Sequence, residues 1–463
     1  MVGHTPDYEG VFPDKRLDDR ATLLSQALLH GKTSSVHATT TSEKEQKGFY
    51  RFLDNERVTE DALIGELVKR CTRNVIDKDV IVIEDTTSFG LSHYSGSIKT
   101  DSGLGLVGNK VGFGFLSHCS LVIDADTEAM LGFSDVQVWH RIKDKANNTT
   151  RAYKKEPIEE KESNKWLKAS LRAREGLAAA RSITIIQDRE GDIYQQFCVV
   201  PDERTHLLVR CRDNRRLADG AKLYDYLEGC PVLGNYDIAI YGDVRKEKVK
   251  RTAHVEIKAA PVCIQKPASV KDKAIPATYN LYAVEVKEKG GSHKDAICWR
   301  ILTTHKVETY DEALAIIEKY KLRWYIEQLF RLLKKQGYQI ESTQLESGWA
   351  IRKLFVMVLN TALRWMQLYL AYGVEESQPL EEVFNKEEIQ CLTNIQNNYI
   401  KQTDQTSNPY KAEKLSWASW IIARLGGWKG NIKQRKAGPI IIKKGLEKFQ
   451  IMYEGWKLAN GSA

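Results

Sequence analysis

Apolar positions recur along this chain in two rhythms, helical toward both ends and strand-like through the middle. From Met1 to about Arg70, Asp18–Leu29 and Thr59–Cys71 show helical spacing across a polar, Thr/Ser-rich connection over Lys32–Ser42, which predicts a small helical unit. A continuous β-branched run, Val80–Ile83, predicts a buried central strand that ends in two acids, Glu84 and Asp85. Strands over Val111–Ile123 and Ala129–Trp139 then make an antiparallel meander plausible. After a charged, loose span from Arg141 to Glu162, a helix is predicted over Asn164–Ala180. It is followed by a buried strand over Ser182–Gln187, which runs into Asp188, and by a strand over His206–Val209, which runs into Arg210, Arg212, Arg215 and Arg216. Alternating runs such as Ala253–Ile257 and Tyr279–Val286, broken by charged turns, predict an all-β insertion over 213–296 that returns through Ala296–Leu302.

The stretch from Thr309 to Gly337 predicts one long helix. Thr309, Asp311 and Glu312 supply helix-start chemistry, no Pro or Gly interrupts it, and Lys334 and Lys335 precede Gly337. At about 100° per residue, Tyr325, Ile326, Leu329, Phe330, Leu332 and Leu333 fall on one broad core-facing arc. Tyr320, Arg323, Glu327 and Lys334 fall in a narrow stripe outside it. Any amphipathic helix has a polar face, and Arg323 with Glu327 is also an ordinary i,i+4 pair, so the stripe alone establishes no site. Another apolar-rich helix is predicted over Ala350–Tyr372, and helices with basic clusters at Lys429–Lys436 and Lys443–Lys448 follow it.

At 463 residues the chain has room for two to four domains, and 42% hydrophobic with 28% charged residues lets it bury a core. The formal net charge of +8 tilts the surface mildly toward polyanions, but 61 acidic residues nearly balance 69 basic ones, so a nucleic-acid role must rest on local patches. Lys47–Leu53 mixes aromatics with cations, as either a nucleic-acid contact or a packing hinge would. Met1–Leu17 hold no apolar leader pattern, no apolar run is long enough to span a bilayer, and a soluble, cytoplasmic chain without a membrane partner is expected. Eight scattered Cys without a CxxC pair fit reduced, mostly buried thiols rather than a disulfide framework or a zinc site. Gly103–Gly108 matches GxGxxG, but a strand follows where a dinucleotide-binding helix is required.

The element order is that of an α/β, ribonuclease-H-like core of the retroviral integrase superfamily, with an all-β insertion and helical flanks. The expected segments are 1–70, 71–370 and 371–463. In such a fold Asp85, Asp188 and Glu327 can meet. Three carboxylates in one cleft raise one another's pKa unless cations compensate. Hard oxygen donors without His or Cys point to two Mg²⁺ ions, with Mn²⁺ able to substitute. Two such ions about 3.5 to 4 Å apart assist in-line phosphoryl displacement. Arg323 can grip a phosphate through two hydrogen bonds, Lys334 can offer a point charge, and Tyr320 can donate from its hydroxyl.

These residues carry a resemblance. Glu84-Asp85-Thr86-Thr87, Asp188-Arg189-Glu190 and above all the spacing Tyr320-x2-Arg323-x3-Glu327-x6-Lys334 resemble the bacterial DDE cut-and-paste transposases of the IS-four insertion-sequence family. The likeness extends to Phe49–Phe52, Glu162–Leu167 and Ile422–Gly427. It implies that Asp85, Asp188 and Glu327 are the metal-binding catalytic triad, and that Tyr320, Arg323 and Lys334 hold the backbone around a nucleotide flipped out during hairpin formation. It also implies that Trp299 stacks on the flipped base beside Trp324 and that Arg210 and Arg212 grip DNA. The implied partners are double-stranded transposon ends read by the amino-terminal unit, target DNA, and a second copy of the chain paired through the carboxy-terminal helices. A structure-selective nuclease without strand joining, and a retired transposase kept as a DNA-binding protein, are the rival readings.

Overall fold

This computed structural model describes residues 6–31, 35–40, 42–92, 102–107, 112–141, 156–240, 251–290, 296–375, 377–401, 403, 406–430 and 437–461. Most of the span predicted as loose between Arg141 and Glu162, most of the Lys429–Lys436 cluster and parts of the Lys32–Ser42 and Gly103–Gly108 segments lie outside the described residues.

In chain order the elements are α1 (Lys15–Gly31), α2 (Val36–Thr39), α3 (Glu43–Asp54), α4 (Glu60–Asn74), β1 (Asp79–Gly90), β2 (Gly105–Val107), β3 (Gly112–Asp124), β4 (Met130–Trp139), α5 (Asn164–Gly176) and β5 (Ser182–Gln187). Next come α6 (Tyr194–Val199), β6 (Thr205–Arg210), α7 (Leu223–Gly229), β7 (Gly234–Ile240), β8 (Arg251–Gln265), β9 (Thr278–Glu288) and β10 (Cys298–Thr303). The carboxy-terminal part holds α8 (Tyr310–Lys321), α9 (Trp324–Arg331), α10 (Gly348–Ala371), α11 (Lys386–Asn394), α12 (Leu415–Leu425) and α13 (Pro439–Ala459).

Two expectations about the elements are corrected. The single helix predicted over Thr309–Gly337 is broken. It starts as expected, with a Thr309/Glu312 capping box, but Leu322, Arg323 and Tyr325 donate their amides three residues back, to Lys319, Tyr320 and Leu322. This tight turn resets the helical phase between Tyr320 and Glu327, and α9 then widens into a π turn over Leu332–Gln336. The insertion is also not purely β, because α7 lies within it and buries Leu223 and Leu227 beside β8.

The chain forms two compact units, one of Met1–Ile76, Thr86–Lys145 and Ile326–Ala463, the other of Asp77–Asp85 and Ala146–Tyr325. In the first unit, α10 is the core. It is buried along nearly its whole length and packs against α1, α3, α4, β4, α12 and α13. By length and composition α10 could cross a membrane, contrary to the expectation that no run is long enough, but 83% of that window is buried within the protein. Phe355 from α10 joins Phe89 and Phe115 in a cluster with ring centroids 4.9 to 5.4 Å apart. Helices α12 and α13 approach so closely that a Cβ on Gly445 would collide with the Ile422 carbonyl. In Lys47–Leu53, Phe49, Phe52 and Leu53 are buried and Arg20 lies over the Phe49 ring, which is a packing arrangement, while Lys47 and Arg51 are exposed.

In this unit β3 pairs antiparallel with β4 and β2, and the Leu91 amide just past β1 donates to the Phe113 carbonyl. In the second unit β1, β5 and β6 are parallel neighbours, and β6 continues antiparallel through β10, β9, β8 and β7. With β1 common to both, the strand order β4-β3-β1-β5-β6 is ribonuclease-H-like, and β7, β8 and β9 are the insertion. All eight cysteines are free thiols.

Candidate active site and its family

The register of the parallel strands places the first two predicted acids. Ile83 on β1 pairs with Ile186 on β5. Asp85 and Asp188 each lie two residues beyond, so they emerge at one level from neighbouring strands and on the same side. On the next strand, Gln187 pairs with Val209 and Arg210 with Ile301 of β10, which puts Arg210 beside Asp188. This edge is the carboxyl end of the parallel strands, where open α/β sheets bind ligands.

Asp188 caps the short turn Arg189–Gly191, accepting the Glu190 amide at 2.7 Å. Arg323, in the turn after α8, reaches Asp85 with Nη1 3.2 Å from Oδ2, and both side chains are about four-fifths buried. Tyr320 is 5% exposed, with its ring edge-on to Trp299 at 5.8 Å between centroids. Burial raises the Tyr320 pKa, and the Asp188 charge adds to the rise against the opposing pull of Arg323 and Arg210. Tyr320 is therefore a neutral hydroxyl that can donate a hydrogen bond.

The Arg210 guanidinium donates to the Cys298 carbonyl at 3.4 Å. Arg212 is exposed and pairs with Asp213 at 3.0 Å, while its amide donates to Asp192 Oδ2 at 2.8 Å. Trp324 is 39% exposed and meets Tyr325 edge-on. The second unit thus gathers Asp85, Asp188, Arg210, Trp299, Tyr320 and Arg323. Glu327, exposed on α9, and Lys334, whose Nζ lies 5.3 Å from the Phe89 ring centroid, belong to the first unit.

Among the described residues no group of three His, Cys, Asp or Glu side chains stands ready to hold an ion. The two strand-end carboxylates nevertheless fit a hard divalent cation in donor chemistry, since both offer oxygen.

Two features escaped the sequence reading. Glu84 and Gln187, one residue before each acid, are both fully buried and bonded to one another, with Gln187 Nε2 2.6 Å from Glu84 Oε2. Asp192 is buried in an ion pair with Arg215, which lies in the arginine-rich segment after β6. For the first, strand alternation was a usable signal. For the second, the sequence held none beyond the acid itself.

Two family models match the chain: a transposase DNA-binding model over residues 10–58 and a transposase DDE domain over residues 134–364. The chain has the two domains of a DDE transposase. The DNA-binding match spans α1 to α3 and supports DNA binding by the transposase, which is a DNA-cleaving enzyme of a class that generally uses divalent metal ions. Asp188, Arg210, Arg212, Trp299, Tyr320, Arg323, Trp324, Glu327 and Lys334 lie inside the DDE match, whereas Asp85 precedes it. Among solved structures the chain is similar to a piggyBac transposase synaptic complex with hairpin DNA, at 11% identity and a TM-score of 0.34, over 85% of this chain and 77% of that one. At those values the likeness adds nothing to the family models.

Proposed function

We propose that this transposase carries out cut-and-paste transposition at terminal inverted repeats, as a member of the IS-four family similar to the transposase of transposon five. The single observation that carries the reading is the equal offset of Asp85 and Asp188 beyond the Ile83/Ile186 pair, with Arg323 on Asp85. Asp85, Asp188 and Glu327 would hold two Mg²⁺ ions, or Mn²⁺ in their place. When bound, such ions activate an attacking hydroxyl and stabilise the leaving oxygen of an in-line displacement.

The chain's own residues supply the rest. Arg323 orients the Asp85 carboxylate and, with Lys334, Arg210 and Arg212, neutralises backbone phosphates. Tyr320 donates from its neutral hydroxyl, and Trp299, with Trp324 as a second aromatic, replaces part of the stacking that a flipped base loses, about 1 to 3 kcal/mol. Water first displaces the 3′-oxygen at the transposon end. The freed 3′-hydroxyl then attacks the opposite strand's phosphodiester, displacing the 3′-oxygen of the flanking DNA and closing a hairpin; a second water reopens it, and the same 3′-oxygen joins a target phosphodiester as a target 3′-oxygen leaves. Two copies pair in the synaptic complex, in the cytoplasm and on nucleoid DNA.

Incubation with Mg²⁺ and labelled end DNA is expected to give nicked and then hairpin products, and Asp85→Ala or Asp188→Ala to abolish both while end binding persists. A double-strand break with no hairpin, unchanged by Trp299→Ala, would favour a structure-selective nuclease. End binding with no cleavage in Mg²⁺ or Mn²⁺ would leave a DNA-binding protein.

A further inference from the structure

Successive side chains of a strand point to opposite faces. While Asp85 and Asp188 share one face, Glu84 and Gln187 share the other, and there they meet helices α5 and α6. Ser170 of α5 donates its hydroxyl toward both Glu84 oxygens, at 3.2 and 3.3 Å. Gln187 Nε2 reaches Glu84 at 2.6 Å, Ser170 at 2.9 Å and Gln196 Oε1 at 3.0 Å. Gln196 Nε2 returns a bond to Gln187 Oε1 at 2.8 Å and a second to the Gly191 carbonyl at 2.7 Å. Gly191 ends the turn that Asp188 caps, and a Cβ there would run into the Gln187 side chain. One buried network therefore ties β1, β5, two helices and the turn that Asp188 caps.

We infer that Glu84 and Gln187 form a positioning pair, which locks the relative height of the two strand tips and so fixes the separation of the Asp85 and Asp188 carboxylates for ion binding. The inference rests on the two-metal reading above. Neither residue touches the reacting atoms. Their effect passes through the strand backbone, as partners behind a metal ligand act on the ligand. The clamp is chemically directional, because an amide donor faces a carboxylate acceptor, so exchanging the two residues restores a donor–acceptor pair that Gln187→Glu and Glu84→Ala each remove.

The test compares wild type, Gln187→Glu, Glu84→Ala and the exchange Glu84→Gln/Gln187→Glu, each measured by calorimetric Mn²⁺ binding, thermal melting and nicking of end DNA. Gln187→Glu sets two buried carboxylates against each other and is expected to weaken Mn²⁺ binding by about 10- to 100-fold, with the exchange recovering most of that loss and end-DNA binding unchanged throughout. Ser170→Ala removes only one anchor and serves if Gln187→Glu does not fold; a roughly fivefold weakening is expected there. Variants that bind Mn²⁺ like wild type, or an exchange that melts like wild type yet recovers no affinity, overturn the inference alone. A folded wild type that neither binds Mn²⁺ nor nicks overturns the two-metal reading and the inference with it.

Discussion

His305 stacks on His206 with ring centroids 4.1 Å apart and shares a hydrogen bond with Thr184 at 3.0 Å. Burial first, then His206 and Lys319, push its pKa down to about 3 from 6.5. The unfolded chain takes up a proton here below its ordinary pKa that the folded chain refuses. The residue thus contributes stability that is full above pH 6.5 and is lost as the pH falls toward 3. In urea unfolding, His305→Gln is expected to lose less stability than wild type between pH 7 and pH 4.5, by about 2 kcal/mol; equal losses would contradict this. The acids at the strand ends show what one residue's sequence context conveys. Asp85 and Asp188 were visible because each follows an apolar run. Glu84 looked equivalent to Asp85, and only alternation about β1 separates a buried clamp from a residue of the site edge.

At the scale of elements, β5 and the start of α8 were legible because an apolar run and a capping box are local signals. The break at Leu322–Arg323 was not. It involves neither Gly nor Pro and consists of three amides turning back by three residues, a choice the surrounding packing makes. The stripe of Tyr320, Arg323, Glu327 and Lys334 therefore does not lie along one helix, even though its spacing carried the family resemblance. The segment after β6 is another element held by a distant residue: Asp192 accepts the Arg212 amide at 2.8 Å and Arg215 Nε at 2.9 Å, with Arg215 itself nearly buried. Asp192→Asn leaves the Arg215 charge without its counterion and is expected to cost about 3 kcal/mol in denaturant unfolding. Arg212→Ala, at an exposed position, should change stability by no more than about 0.5 kcal/mol while lowering the salt slope of DNA binding by about one. Similar stabilities for the two variants would remove the anchoring role.

At the scale of the molecule, the first unit is assembled on α10, and its two buried cations do much of the joining. Arg352 reaches Glu60 as well as the Gly103 and Val138 carbonyls. Lys353 donates to the Leu53 and Asn55 carbonyls, each at 2.9 Å, and so closes the end of α3. Burial lowers the Lys353 pKa against the opposing pull of Asp54, Glu60 and Glu56. Lys353→Met strands two carbonyls and is expected to destabilise the chain by about 2 kcal/mol or more; a urea midpoint within error of wild type would contradict it. From sequence, α10 was visible as an apolar helix, but what it joins was not, because its partners come from segments about 300 positions away.

The antiparallel pairing of Arg210 with Ile301 brings the two mouths of the inserted stretch onto adjoining strands. Residues 211–297 thus leave and rejoin the body of the second unit through one narrow doorway, so a short hairpin could in principle bridge the gap and keep Arg210 in register. Such an excision would bare the flank of β10 that β9 now covers and would take Arg212 away while sparing Trp299. The strands that carry Asp85 and Asp188 lie on the far side of β6 from that doorway, so their pairing does not run through the excised stretch.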